Sequence, residues 1–494
     1  MAAPFVLAID QGTTSTRAIL FDAAGAPQYV ATRALTQHYP RPGWVEHDPE
    51  EIWQSVVATG REAAAAAGGP IAALGIANQR ETTVLWERAS GRPVANAIVW
   101  QDRRTADLCA AWRREGLSDI VGTRAGLIID PYFSAPKIRW LLDSLPGLRA
   151  QADTGAIACG TIDSFLLWRL TGGRHLTDAT NAARTMLFDI HRLGWDDELP
   201  GALGIPLALL PEVRDTGDDF GVTARDLFGQ AIPIAGVAGD QQAALIGQAC
   251  FRPGMVKATY GTGAFVLLHT GAKARPSTHR LLTTIAYRLR GETAYALEGS
   301  IFVAGAAVGW LCERLGLIAA VADAERLAAQ AYPRQRVYFV PGFAGLGAPH
   351  WQPRARGALL GLTAECGAAE IASAALEAVG HQTRDLIAAM EADAGLAIDR
   401  LRVDGGMAAS DWTMQYLADI LPATVERPCS VETTAWGAAY AAGLTRGVYP
   451  APSEMAAEWR PQRRFLPQMA AVEREERHAG WERAVAGVLA AAEP

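Results

Sequence analysis

The chain has no GxxxxGK[ST] loop, no CxxC pair and no uninterrupted apolar run of membrane-spanning length. Each absence removes a class. Without the first, the P-loop nucleotidases are excluded. The six cysteines (Cys109, Cys159, Cys250, Cys312, Cys366, Cys429) are widely scattered, so neither a zinc site nor a disulfide framework is indicated, and a reducing cytoplasm is the expected compartment. No run reaches the roughly twenty apolar residues of a transmembrane helix, so no membrane insertion is expected. Surplus basic charge is also missing. Lys and Arg number 45 against 52 Asp and Glu, a net charge of −7, which speaks against nucleic acid or an anionic membrane as partner. The start of the chain, Met1 to Asp10, lacks the basic n-region of a signal peptide.

What is present is an α/β pattern in a chain of 494 residues, too long for one hydrophobic core, so two large domains are expected. Near the midpoint the apolar run Ile232 to Val237 reads as a buried strand, followed by Gly239-Asp240-Gln241-Gln242 and the start of a helix. A carboxylate at a strand-to-helix turn is either a helix cap or, in a crevice between halves, a catalytic base. Near the N-terminus, Phe5 to Ile9, Asp10-Gln11-Gly12-Thr13-Thr14-Ser15-Thr16-Arg17 and Ala18 to Phe21 read as strand, tight turn and strand. A turn this dense in hydroxyls and backbone N–H groups suits a phosphate, Arg17 adds positive charge, and Asp10 stands where it could hold magnesium; an ordinary polar hairpin is the alternative. The pattern returns at Tyr260-Gly261-Thr262-Gly263-Ala264, an echo that suggests two related halves.

Between these lie candidate ligand-binding residues. Arg80 and Glu81 follow the strand Ala73 to Ala77; one donates and the other accepts, which suits a polyol, provided the chain turns there so that both face inward. A surface ion pair is the alternative. Trp100 and Tyr132 are either pocket walls or core. Thr177 to Thr185 reads as a hydroxyl-rich loop without evident chemistry, and Asp196 to Phe228 as loops. Gly305, read as lying inside a helix within the small-residue segment Ile301 to Trp310, costs about 1 kcal/mol there and so implies close approach by a backbone or ligand. Asp404-Gly405-Gly406 ends a strand in a turn on which a flat base or ribose could rest.

In order and spacing, AIDQGTTSTRAILFD (8–22), NQRETT (78–83), WQDRR (100–104), IDPYFSAPKIRW (129–140), AGDQQAALIGQ (238–248), TYGTGAF (259–265), GLGAPHW (345–351) and VDGG (403–406) resemble the FGGY carbohydrate kinases, and most of all their glycerol-phosphorylating branch. The resemblance implies two ribonuclease-H-like domains of the actin/hexokinase ATPase type with the active site in the cleft between them. Residues 1–245 would carry the glycerol site and the first phosphate turn, and 246–494 the nucleotide site. It implies ATP and Mg2+ as cofactors, a homodimer or homotetramer, and Asp240 as base. Arg80, Glu81, Trp100, Tyr132, Asp240, Gln241 and Phe265 would bind glycerol. Thr13, Thr14, Ser15, Arg17, Thr262, Gly305, Gly309, Gly406 and Ser410 would bind nucleotide, and Asp10 and Asp240 the metal. Two positions depart from the family pattern: Gly309 where Gln is usual and Ser410 where Asn is usual. Two regulatory positions depart as well. Gly229-Gln230-Ala231 lacks the Arg through which some members bind fructose 1,6-bisphosphate, and Asp226 occupies the place of a phosphorylatable His. The alternatives are a family member acting on erythritol, xylulose or ribulose, and a nucleotide-binding regulator that has lost catalysis.

Overall fold

The computed structural model describes residues 4–492. Its first sheet grows from the N-terminal hairpin: Phe5–Gln11 pairs antiparallel with Ser15–Phe21, which pairs with Pro27–Ala34. Val6 to Ile9 are buried on both faces, as expected of an inner strand covered by helices. On its other side Phe5–Gln11 runs parallel to Ile71–Asn78, and Pro233–Gly239 runs parallel beyond that. The two-residue strand Gly221–Val222 closes this edge, so the stretch expected to be loops contributes a sixth strand. The helix Pro49–Ala65 packs against this sheet, capped by the Asp48 side chain, which accepts from the Glu50 N–H.

The second sheet has seven strands, in the order Leu282–Leu289, Glu292–Ile301, Ala264–Gly271, Val256–Tyr260, Arg400–Asp404, Thr424–Pro428, Pro461–Phe465. Its centre repeats the plan of the first: an antiparallel hairpin, Val256–Tyr260 with Ala264–Gly271, beside a parallel strand, Arg400–Asp404. The Gly-Thr echo in the sequence is therefore an echo of architecture, two α/β halves of one type.

In each half the parallel strands end on the same side. Gln11 lies beside Asn78, and Asn78 beside Gly239, so Asp10, Arg80, Glu81 and Asp240 emerge together although 230 residues of chain separate the first from the last. The halves meet through a helix late in the chain. Thr433–Thr445 packs on the first sheet and across the helix Asp240–Gly247. Only glycine and small side chains such as Ala243 and Ala438 meet at the crossing. A Cβ on Gly437 would overlap the Ala243 carbonyl, and one on Gly247 would overlap the Thr433 carbonyl; Gly75 and Gly236 in the sheet face Ala438 and Ala442 in the same way. Glycine is required at these sites because backbone touches backbone.

Candidate active site

The strand Pro233–Gly239 ends with the Gly239 N–H donating to the Thr180 hydroxyl at 2.9 Å. The helix begins at the next residue, so Asp240 is its first residue and Gly239 the cap. Asp240 Oδ1 accepts from the Gln241 N–H at 2.7 Å and faces Arg80 Nε at 3.3 Å, with about a quarter of the side chain (27%) open to the cleft. Burial pushes this carboxyl up, and the Arg80 and Lys257 charges oppose the rise.

Arg80 and Glu81 are not a surface pair; they are 2% and 1% exposed. Both face inward because the chain turns sharply between them. Glu81 has φ +60°, and the Thr82 N–H donates to the Arg80 carbonyl at 2.7 Å. The main partner of Arg80 is Glu298, which it grips with both terminal nitrogens at 2.5 and 3.0 Å. Arg184 completes the set, donating from Nε to Glu81 at 2.7 Å and from Nη2 to Glu298 at 2.9 Å. Two guanidinium and two carboxylate groups thus alternate out of contact with water. Burial works to raise Glu298, but Arg184 and Arg80 outweigh it and hold that carboxylate below its ordinary range. Glu81 stays raised by burial, with Arg80 and Arg184 opposing.

Sequence reasoning missed both added members. Arg184 lies in the stretch expected to be a loop without chemistry, which instead forms the strand Leu176–Asp178 and the short helix Ala179–Ala182, whose Thr180 fixes Gly239. Glu298 lies within the strand Glu292–Ile301, where every residue from Ala294 on is buried. The available signal was a lone charge amid apolar neighbours, since a buried charge must have a partner.

Aromatic groups form the opposite wall. Trp100 donates its indole N–H to the Thr13 hydroxyl at 2.9 Å and meets Tyr132 and Phe265 edge to face at 5.7 and 5.8 Å. The Arg80 guanidinium lies 5.6 Å from the Phe265 ring centre, and its Nη2 donates to the Tyr132 hydroxyl at 3.4 Å. Together with Thr13, Thr14, Asp240, Gln241 and Thr262 these groups line one cavity of about 290 Å³.

The two turns flank it. Gly12 N–H donates to the Ser15 carbonyl at 2.9 Å, leaving Thr14 exposed. Arg17 reaches into the second half, where it pairs with Glu432 at 2.7 Å. Burial pushes the Asp10 carboxyl up to about 7, with Arg17 opposing and Asp240 and Glu432 adding to the rise. In the second turn, the Gly261 and Thr262 carbonyls accept the N–H groups of Ala304, Gly305 and Ala306. The helix there runs Gly305–Glu313, so Gly305 is its first residue rather than an interior one. The close approach is real: a Cβ on Gly305 would lie 2.7 Å from the Gly261 oxygen. Gly309 and Gly406 face open space, and the Ser410 hydroxyl caps the helix Asp411–Ile420 by accepting from Thr413 N–H at 3.1 Å. Gly305, Gly309, Gly406 and Ser410 stand outside the 290 Å³ cavity, as do Asp10, Ser15 and Arg17. Among the described residues no three His, Cys, Asp or Glu side chains cluster as a metal cage, and no helix is long and apolar enough to cross a membrane.

Comparison with known proteins agrees over the whole chain. Residues 5–247 match the N-terminal domain of the FGGY family of carbohydrate kinases, and residues 256–445 its C-terminal domain. A glycerol kinase of Methylobacterium nodulans is 58% identical over 98% of this chain and 98% of its own length. One from a Bradyrhizobium species is 59% identical over 99% of each. The crystal structure of Plasmodium falciparum glycerol kinase with ADP superposes with a TM-score of 0.92 at 34% identity, covering 99% of this chain and 98% of that one. A xylulose kinase of Lactobacillus acidophilus shares the fold (TM-score 0.86) at 21% identity, over 97% of this chain and 96% of its own.

Proposed function

The chain belongs to the FGGY family of carbohydrate kinases, and from that membership we infer that it phosphorylates glycerol. The reaction is ATP + glycerol → sn-glycerol 3-phosphate + ADP. The observation that carries this reading is the single small cavity in which Asp240, an Arg–Glu pair and three aromatic side chains meet hydroxyl-bearing turns from both halves.

Asp240 orients the terminal hydroxyl of glycerol and takes its proton as the new O–P bond forms. In a loose transition state little proton transfer is needed early, so a carboxylate is base enough. Arg80 at 3.3 Å opposes the rise that burial imposes on that carboxyl and holds it in place. Arg80 and Gln241 donate to glycerol oxygens, Glu81 accepts from a hydroxyl, and Trp100, Tyr132 and Phe265 enclose the carbon chain. Thr13, Thr14, Ser15, Arg17 and Thr262 hold the phosphates, with Gly305, Gly309, Gly406 and Ser410 on the ADP side. Arg17 must exchange Glu432 for phosphate oxygens when nucleotide enters.

Asp10 and Asp240 fit a divalent cation, because the Asp240 charge raises the affinity of Asp10 for a proton and two carboxylates without a third donor suit a cation that is also held by phosphates. When bound, Mg2+ would neutralise charge on the β- and γ-phosphates. A homo-oligomer in a reducing cytoplasm completes the reading.

Coupled ADP release with glycerol, erythritol, xylulose and ribulose as acceptors tests the assignment. Turnover with glycerol is expected, turnover with a sugar alone would transfer the enzyme to a sister activity, and none at all would leave a nucleotide-binding regulator. Asp240→Asn is expected to lower kcat by about three orders of magnitude with an unchanged Tm; near-normal turnover would remove Asp240 as base.

A further inference from the structure

One buried cation near the reacting groups has no part in this account. Lys257 lies in the strand Val256–Tyr260, which leads into the Gly261-Thr262-Gly263 turn, and its side chain is fully buried. Its ammonium donates to Gln241 Oε1 at 2.5 Å and to the Thr259 hydroxyl at 2.8 Å. The first bond reaches from the second half of the chain to the residue beside the base.

A side-chain amide has two chemically opposite ends, and its role in a pocket depends on which end faces in. An ammonium carries donors only, so the end of Gln241 that meets Lys257 must be the oxygen. The NH2 end is then turned away from Lys257. It reaches the Asp240 carboxylate, whose affinity for a proton it lowers, and Gln241 lines the cavity beside that carboxylate; an NH2 group has two N–H donors, so one remains for a ligand. Burial pushes the Lys257 amine down to about 8, with Arg80 adding to the fall and Asp404, Asp240 and Glu298 opposing it, so the group still carries its proton at pH 7.

We propose that Lys257 is a positioning residue for the acceptor: by holding the Gln241 oxygen it makes that amide a fixed hydrogen-bond donor toward a glycerol hydroxyl. The proposal rests on the reading that Gln241 touches glycerol. It divides the pocket into donors, Arg80 and Gln241, and acceptors, Glu81 and Asp240. It also ties acceptor recognition to the phosphate turn, since Thr262 lies five residues beyond Lys257 on the same hairpin.

A double-mutant cycle separates the proposal from the reading beneath it. Glycerol KM, ATP KM, kcat and Tm are measured for Gln241→Ala, Lys257→Met and the double variant. Each single change is expected to raise glycerol KM about tenfold, the worth of one hydrogen bond, with ATP KM shifted less than about twofold. The double variant is expected to stay within about twofold of either single one. A double variant in which the two factors multiply, about a hundredfold in all, would overturn the proposal. If Gln241→Ala leaves glycerol KM unchanged, Gln241 does not touch the acceptor and the underlying reading fails instead. Should Lys257→Met not fold, Thr259→Val loosens the ammonium while keeping its charge. A rise of about threefold in glycerol KM is then expected in a Gln241 background and none in a Gln241→Ala background; equal rises in both would overturn the proposal.

Discussion

Replacing Glu298 by Gln tests the buried charge network most directly. The substitution keeps size and shape but removes the carboxylate that receives two bonds from Arg80, at 2.5 and 3.0 Å, and one from Arg184, at 2.9 Å. Two guanidinium groups are then left out of water with Glu81 as their shared close carboxylate and Asp240 beside Arg80. Removing one partner of a buried ion pair costs about 3–5 kcal/mol, because the remaining charge stays desolvated. For a domain of about 150–250 residues, each kcal/mol moves Tm by about 2–4 °C, so a fall of about 6–20 °C is expected by calorimetry. Activity should fall as well. Arg80 freed from Glu298 turns toward the nearest remaining charges, Asp240 at 3.3 Å and Glu81 at 4.0 Å, and competes with glycerol for both. A drop of at least tenfold in kcat/KM for glycerol is expected. Adding Arg184→Met should recover part of the lost Tm, since it removes one of the two unpaired cations, but not the activity. A Glu298→Gln variant that melts within about 1 °C of the parent would refute the reasoning, as would an Arg184→Met addition that lowers Tm further by its full separate cost.

The backbone contact between the halves predicts that Gly437→Ala, whose Cβ would overlap the Ala243 carbonyl, destabilises by about 1–3 kcal/mol or more and lowers kcat by splaying the cleft. Gly309→Ala is its control by thermal melting: a Cβ there meets nothing within 4 Å, so about 0.5–1 kcal/mol of stabilisation is expected from the helix. Ser410→Ala should cost about 1 kcal/mol by removing the cap on Asp411–Ile420, whereas Ser410→Asn keeps a capping side chain and should leave Tm near that of the parent; steady-state kinetics with ATP as the varied substrate would show whether either change reaches the nucleotide.

Much of the frame was readable from the chain because its signals are local. The hairpin at Phe5–Phe21, the helix start at Asp48-Pro49 and the strand-turn-helix at Pro233–Gly247 each lie within a span of 17 residues or fewer. The turn that allows Arg80 and Glu81 to share a pocket was readable only as a condition, since nothing in NQRETT announces a positive φ at a glutamate. Arg184, Glu298 and Lys257 were not found, for a related reason. Their meaning lies in partners 103, 218 and 16 residues away, and pairing at such distances is set by topology rather than by spacing. Even Lys257, close in sequence to Gln241, meets it only because a helix and a loop fold back between them.

These three residues also bear on how labour is divided between the halves. The resemblance assigns the acceptor to the first half and the nucleotide to the second, and most of the cavity lining follows that plan. Yet Phe265 supplies one aromatic wall, Glu298 holds Arg80, and Lys257 holds Gln241, all from the second half. In the other direction Arg17, beside the first phosphate turn, is held by Glu432, which immediately precedes the helix Thr433–Thr445. Each half therefore sets the geometry of groups carried by the other. A first half standing alone would keep Arg80 and Arg184 but lose the carboxylate between them, leaving the two cations to share Glu81 and repel across the pocket. Such a pocket would lose its arrangement before any ligand reached it. The proposed acceptor pocket is thus a property of the assembled pair of halves, since its buried charge network joins Arg80 and Arg184 of the first half to Glu298 of the second.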